Sequence, residues 1–280
     1  MGTFLMHERP RFSRVVRRRW KHRFVYALLI VVMSVSFIGL LGFLSHRDGY
    51  LIVEIQSKGN TLLPGADIAS ETKEFLAGSY LALFPKNNIF LLRKGALIAA
   101  LQSAFPVIES ADVKKLSFTS IAIEVREREP YALWCSLQVD IGHPCFFVDR
   151  NGLLFYEAPI FSEQVYLTFS ENGGRILSVG EHVFTETRFS EFFFFIQSLD
   201  TLGLNVKEIR IEPGAGDLED YALVLGQGTE LFISNSLELD RTLENITDFF
   251  SDQTLMSSRD AFLEGISYID FRFGNKVYYK

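Results

Sequence analysis

Apolar and polar positions change rhythm several times along this chain, beginning with an unbroken stretch. From Phe24 to Leu44 there are 21 residues without a charged side chain. A helix of that length is roughly 31 Å long, about the thickness of a bilayer's hydrocarbon core, so the pattern predicts a transmembrane helix over 24–44. Beyond it, Leu51, Val53 and Ile55 alternate as in a strand, and Lys58-Gly59-Asn60 reads as a turn. Ile68, Thr72, Phe75 and Leu76 fall on one face of a helix, with Asp67 near its N-terminus, where an acid suits the dipole. Gly78 to Asn88, with Pro85 and Asn87-Asn88, reads as a connection. A second helix is expected from Arg93 to Ala104, carrying Leu97, Ile98, Leu101 and Phe105 on one face before Pro106 discourages continuation. Strands follow at Ser110 to Leu116 and Thr119 to Glu127, where Ile121, Ile123 and Val125 alternate. The order is β-α-α-β-β.

After Pro130 the rhythm shortens. Strands are expected at Ala132 to Val139, Pro144 to Asp149 and Gly152 to Tyr156, the last following an Asn151-Gly152 turn. Thr185 is placed to cap a helix with Phe189, Phe192, Phe193, Ile196 and Leu199 on one face, ending at Gly203. Ile209 and Ile211 alternate. Tyr221 to Ile233, broken by Gly226-Gln227-Gly228, reads as a hairpin, and Ser236 as the cap of a helix with Leu239, Leu243, Ile246 and Phe250. Strands at Ile266 to Phe273 and Lys276 to Tyr279 flank Gly274-Asn275. The fold class expected is α+β: one transmembrane helix, a β-α-α-β-β domain over 50–129, and a mixed β-rich domain with two helices over 130–280.

Charge gives the apolar run an orientation. Eight basic residues (Arg9, Arg11, Arg14, Arg17, Arg18, Arg19, Lys21 and Arg23) and one acid, Glu8, precede it, so the tail 1–23 carries +7 and the rest −13 of the net −6. Basic flanks resist translocation, which places the N-terminus in the cytoplasm and residues beyond His46 outside. Gly42-Phe43-Leu44-Ser45 offers no small-x-small cleavage site, which argues against a removed signal peptide. Arg17-Arg18-Arg19 also fits a nucleic-acid or targeting patch, but its place against the apolar run favours a topological role. An acidic outer part is a poor nucleic-acid binder.

Candidate chemistry is sparse. His7, His22, His46, His143 and His182 are scattered, and Cys135 and Cys145 alone do not make a four-ligand zinc site. Gly214-Ala215-Gly216 is followed by Asp217, Glu219 and Asp220, whose charges repel phosphate. No convergent set of nucleophile, base and oxyanion donors is legible, so no enzyme activity, cofactor, metal or small-molecule substrate is expected. Cys135 and Cys145 lie in runs read as paired strands about Asp140-Ile141-Gly142. A cross-strand disulfide and two buried thiols both fit. Glu127-Arg128-Glu129-Pro130 either presents charge to a partner or solvates a junction where Pro130 stops the ladder, and the second reading is favoured. In the Phe192 to Phe195 run, Phe192 and Phe193 suit a core face and Phe194 points elsewhere.

Three stretches carry a family resemblance: Gly59-Asn60 after the first strand; Phe105 to Trp134, with Pro106, Val113, Glu127, Arg128, Pro130, Ala132 and Trp134 in pattern; and Ile269 to Tyr279, where Asp270-Phe271-Arg272-Phe273 matches a D-L-R-Y run. Asp149-Arg150-Asn151-Gly152 resembles a D-x-x-G turn. In these motifs and their order the chain resembles the bacterial FtsQ/DivIB cell-division family. Ser57 and Phe118 depart from the pattern, and Phe273 lacks the hydroxyl of the usual Tyr. The resemblance implies a POTRA domain over 50–129, a single-pass plasma-membrane protein at the division septum, and a non-enzymatic scaffold. It implies partners like FtsB/DivIC and FtsL, with FtsW- and FtsI-like synthesis proteins beside them. Partner binding is then expected near the C-terminus, at Phe271, Arg272, Phe273, Lys276, Val277, Tyr278 and Tyr279. The alternatives are a membrane-anchored enzyme acting on envelope polymers, supported only by location and abundant acids, and a POTRA-type assembly or transport factor. The latter would need a β-barrel that the remaining residues are too few to build.

Overall fold

A computed structural model of the chain describes residues 14–136, 144–162, 165–171, 177–213, 219–234, 238–251, 259–274 and 276–280. Helix α1, Arg14–Ser45, takes in the basic segment as well as the apolar run. Its part His22–Ser45 is long and apolar enough to cross a membrane. The last turn is closed by side chains: Ser45 Oγ donates to Gly42 O at 2.7 Å, and His46 Nδ1 lies 2.8 Å from the same oxygen. These supply partners that a helix end otherwise lacks.

The chain forms two compact units. The first holds the described residues up to Lys58 together with Gly65–Leu97 and Asp112–Glu124; the second holds Gly59–Pro64, Ile98–Ala111 and the described residues from Val125 onward. The division runs through the helix Lys94–Ala104 and the strands Ile108–Lys115 and Ser120–Glu127, whereas the sequence suggested one boundary near Glu129.

Strand β1, Glu54–Lys58, pairs parallel with β5, Ser120–Glu127, and β5 also borders β4, Ile108–Lys115, so the sheet order is β1-β5-β4. Helices α2, Gly65–Phe75, and α3, Lys94–Ala104, lie between β1 and β4 in the chain. The expected strands and helices are present, but a short two-stranded hairpin stands between α2 and α3, where the sequence suggested only a connection. Ile68 and Thr72 of α2, Leu97 and Leu101 of α3, and Ile121 and Ile123 of β5 are buried, as helical and strand spacing require. One expectation fails at the start. Val53 is 72% exposed and Ile52 is the buried neighbour, because the strand begins only at Glu54 and the preceding residues bridge to Asn88.

Gly78 to Asn88 is more than a connection. It folds as a hairpin of β2, Ser79–Tyr80, and β3, Phe84–Pro85. Leu83 N–H donates to Tyr80 O at 3.0 Å, and the two central residues, Leu81 (φ 50) and Ala82 (φ 57), are left-handed. Such turns are normally filled by Asn-Gly. Leu and Ala in this region cost roughly 1–2 kcal/mol each.

In the second unit, nine strands form one sheet in the order β14-β13-β12-β11-β10-β9-β6-β7-β8. These are β6 Ala132–Ser136, β7 Cys145–Val148, β8 Leu154–Glu157, β9 Leu167–Glu171, β10 Val206–Pro213, β11 Glu219–Leu225, β12 Glu230–Ser234, β13 Tyr268–Phe273 and β14 Lys276–Tyr279. Three pairs are parallel, β6 with β9, β9 with β10 and β12 with β13, and helices lie in the connections of the last two. Helix α4, Glu186–Thr201, connects β9 to β10; α5, Leu239–Phe250, and α6, Arg259–Glu264, lie between β12 and β13. One face of the sheet is covered by these helices. Trp134, Phe169, Phe189, Phe192, Tyr221, Ile246 and Phe271 form its core.

Thr185 caps α4, its Oγ1 accepting Arg188 N–H at 3.3 Å. On α4 the buried phenylalanines are Phe189, Phe192 and Phe195, with Phe193 only half-buried and Phe194 63% exposed. Phe195 thus takes the core place expected of Phe193, since residues 192, 195, 196 and 199 share the i, i+3, i+4, i+7 stripe. Strand β9 and helix α6 were not foreseen. The readings at Asp140-Ile141-Gly142, His143, Gly214-Ala215-Gly216, Ser236 and Asn275 lie outside the described residues.

Candidate partner-binding edge

The C-terminal residues singled out by the sequence converge on one border of the nine-stranded sheet. Strand β14 is its terminal strand and pairs antiparallel with β13, placing Ile269 opposite Tyr279 and Asp270 opposite Tyr278. Lys280 and Tyr268 exchange both backbone hydrogen bonds, each at 3.3 Å. In an antiparallel ladder such exchanging residues alternate with residues whose N–H and C=O face away. Tyr279 therefore turns its backbone groups outward and Tyr278 turns its groups toward β13; the register shifts between Asp270 and Phe273, which ends this regular alternation before Val277. Among the described residues no strand lies beyond β14.

The opposite border is different. Leu154 of β8 donates to Glu181 O at 2.8 Å and accepts from Gly180 N–H at 2.7 Å, and Leu153 bridges to His182. That edge is partly occupied by its own chain, while the β14 edge is protected chiefly by shortness and by Lys276 and Lys280.

Side chains of β13 divide between the faces. Phe271 is fully buried and its ring lies 5.7 Å from that of Phe249. It holds β13 against α5, so it does not belong to an accessible binding surface. Tyr279 shares that side, with ring centroids 6.1 Å from Phe249 and 5.6 Å from Phe262, yet remains 57% exposed. Arg272 lies on the other face. Its Nη1 meets Asp220 Oδ2 at 3.0 Å, its Nη2 meets Asp270 Oδ2 at 2.7 Å, and its Nε donates to Asp270 Oδ1 at 2.9 Å. The hydrogen bonds that it donates to Asp270 chiefly, and to Asp220, push the guanidinium further toward its charged form against the cost of burial. The same group stands 5.2 Å from the Phe232 ring centre and 5.9 Å from that of Phe273. Phe273 and Tyr278 make an edge contact at 5.4 Å. The result is a rigid charged and aromatic surface beside an open strand edge.

Asp220 and Phe232 were missed by sequence reasoning. Asp220 lies 52 residues from Arg272 and Phe232 reaches the site through the parallel β12–β13 pair, and no local spacing reports such pairings. Lys276 and Tyr278 are exposed and Val277 is partly covered.

The remaining candidates lie elsewhere in the second unit. Cys135 and Cys145 face each other across β6 and β7, are disulfide-bonded, and have Cα atoms 4.2 Å apart. The charges of Glu127 and Arg128 are used internally. Glu127 accepts Thr61, Leu62 and Leu63 N–H at 2.8 to 2.9 Å and also the Thr61 hydroxyl. Arg128 pairs with Asp149 at 2.7 Å and donates from Nε to Pro106 O at 2.9 Å. Asp149 Oδ1 in turn accepts Asn151 and Leu153 N–H, shaping the turn to Gly152. No group of three or more His, Cys, Asp or Glu fit to hold a metal occurs among the described residues. No protein-family model matches this sequence, and no characterised protein matches it.

Proposed function

We propose that this protein is a non-enzymatic scaffold, held in the plasma membrane by α1 with its N-terminus cytoplasmic, that captures a partner strand along β14. The observation that carries the reading is the open β14 edge, with outward backbone groups at Tyr279 beside Arg272, Phe273 and Tyr278. Main-chain hydrogen bonds would give affinity, and the flanking aromatic and charged side chains specificity. Taken with the FtsQ/DivIB resemblance, the partner is an extracytoplasmic segment of an FtsB/DivIC-like division protein, with FtsL- and FtsW/FtsI-like proteins in the same assembly at the septum. In this reading the β1-α2-α3-β4-β5 elements are a POTRA-like unit.

The test is co-purification of the full-length protein in detergent with the ectodomain of such a partner. Tyr279→Pro removes one outward N–H and leaves the Tyr278 donor toward β13 in place. Binding should weaken at least tenfold, on the order of 1.4 kcal/mol, while the buried Trp134 keeps its native emission. A folded Tyr279→Pro protein that binds with unchanged affinity excludes strand addition at this edge.

A further inference from the structure

Within the first unit, the last turn of the apolar helix is met by the β2–β3 hairpin at Leu83 and by Asn88, just beyond it. Gly42 is the one buried residue from Phe24 to Leu44, and a Cβ there would meet Leu83 O at 3.4 Å and Leu83 Cβ at 3.9 Å. Three residues on, Ser45 O accepts Asn88 Nδ2 at 2.9 Å, and Asn88 itself is buried with its Oδ1 accepting Phe90 N–H. Gly42 lies about one turn inside the end of α1, so the hairpin backbone reaches the depth of the last apolar turn.

The hairpin tip is apolar where turn chemistry asks for polar residues. Leu81, in the left-handed region, is 87% exposed, and Leu83 is 43% exposed. Among the described residues nothing covers them further. The apolar surface continues through Tyr50, Phe90 and Phe118, all exposed, whose ring centres lie 5.5 to 6.0 Å apart, with Lys115 Nζ 6.0 Å from the Phe90 centre. Aromatic rings with a nearby cation are the composition of a membrane–water boundary.

We propose that the β2–β3 hairpin is a second membrane contact, with Leu81 and Leu83 seated in the lipid beside α1. The inference rests on α1 crossing the bilayer. It makes the hairpin a prop that fixes how the first unit stands on the membrane surface, where a single helix alone leaves rotation and tilt free.

Site-directed fluorescence on the full-length protein tests this. The two native cysteines are bonded to each other, so Leu81→Cys, Leu83→Cys, Ser34→Cys within α1 and Lys73→Cys on α2 each supply a single thiol for an environment-sensitive NBD label. The proteins are reconstituted in vesicles of phosphatidylethanolamine and phosphatidylglycerol, with or without lipid spin-labelled near the headgroup or near the chain end. The label at Leu81 and Leu83 should be blue-shifted relative to Lys73 and quenched most by the headgroup-proximal spin label, while that at Ser34 is quenched most by the deep one. If Ser34 is quenched and both hairpin positions behave like Lys73, the hairpin contact is refuted and the span stands. A hairpin label shielded from water yet unquenched by lipid means that a second copy covers the tip, which also overturns the proposal. An unquenched Ser34 overturns both readings.

Discussion

Glu127→Gln isolates one carboxylate that organises the segment 59–64. Oε1 accepts Thr61 and Leu63 N–H at 2.9 Å each, and Oε2 accepts Leu62 N–H at 2.8 Å and the Thr61 hydroxyl. A glutamine amide keeps one acceptor oxygen and turns an NH₂ toward donors that have nothing to give it. Hydrogen bonds to a charged group contribute about 1.5–3 kcal/mol each. The four do not add, and water reaches this half-buried site to replace part of the loss, so we expect about 2 kcal/mol. For a unit of this size that lowers the unfolding midpoint by roughly 4–8 °C. The effect has a pH signature. Burial pushes the Glu127 carboxyl up, but the hydrogen bonds from Leu62, Thr61 and Leu63 outweigh it and hold the group below its ordinary 4.5. With the folded value depressed, the stabilisation is complete above the ordinary glutamate value and is lost as pH falls through the lower folded value. The assay is thermal unfolding of the full-length protein in neutral detergent, followed by emission of Trp134, which is 1% exposed, from about pH 7 to about pH 3. The gap between wild type and variant should narrow toward the acid end. Equal midpoints at neutral pH, or a gap indifferent to pH, would refute the assignment of this carboxylate as the organising acceptor.

Two further substitutions probe the second unit by the same unfolding measurement. Gly152 has φ +82, and a Cβ there would stand 2.8 Å from the Phe189 ring; Gly152→Ala therefore meets both backbone strain and overpacking and should cost roughly 2–4 kcal/mol, whereas a near-native midpoint would mean that the turn and α4 readjust freely. Phe192, 1% exposed and 4.8 Å from the Tyr221 ring centre, should lose about 3–5 kcal/mol on truncation to Ala, against less than about 0.5 kcal/mol for the exposed Phe194; similar losses at both positions would contradict the assigned helix face.

Features set by a single segment are legible in the sequence. Twenty-one uncharged residues behind a basic tail are enough to specify an apolar helix, because length and polarity are properties of a single segment. The β1, α2, α3, β4 and β5 elements followed from apolar spacing and from punctuation such as Pro106 and Gly59, and the β2–β3 hairpin between the helices did not. Gly59 is required because its φ is +82 and a Cβ would lie 2.2 Å from Val125 O. The Thr185 cap and the C-terminal hairpin are likewise local. The Leu81-Ala82 turn escaped notice because neither residue favours a left-handed backbone, so nothing in the sequence marks it.

Tertiary structure decided the rest, since pairing between distant segments has no local signature. Only the parallel union of β6 with β9, β9 with β10 and β12 with β13 joins the short strands into one sheet and leaves β14 at its border. The sequence placed Phe271 with its neighbours at the C-terminal edge; strand alternation against α5 turned it into the core and left Arg272 and Phe273 partly or largely exposed. Arg272 finds Asp220 across 52 residues of chain. Glu127 and Arg128, which as sequence read equally as surface charge, became internal acceptor and donor once Thr61, Pro106 and Asp149 were brought to them. Charge is written in the sequence, but whether it faces solvent, a partner or a buried amide depends on which segments the fold brings beside it.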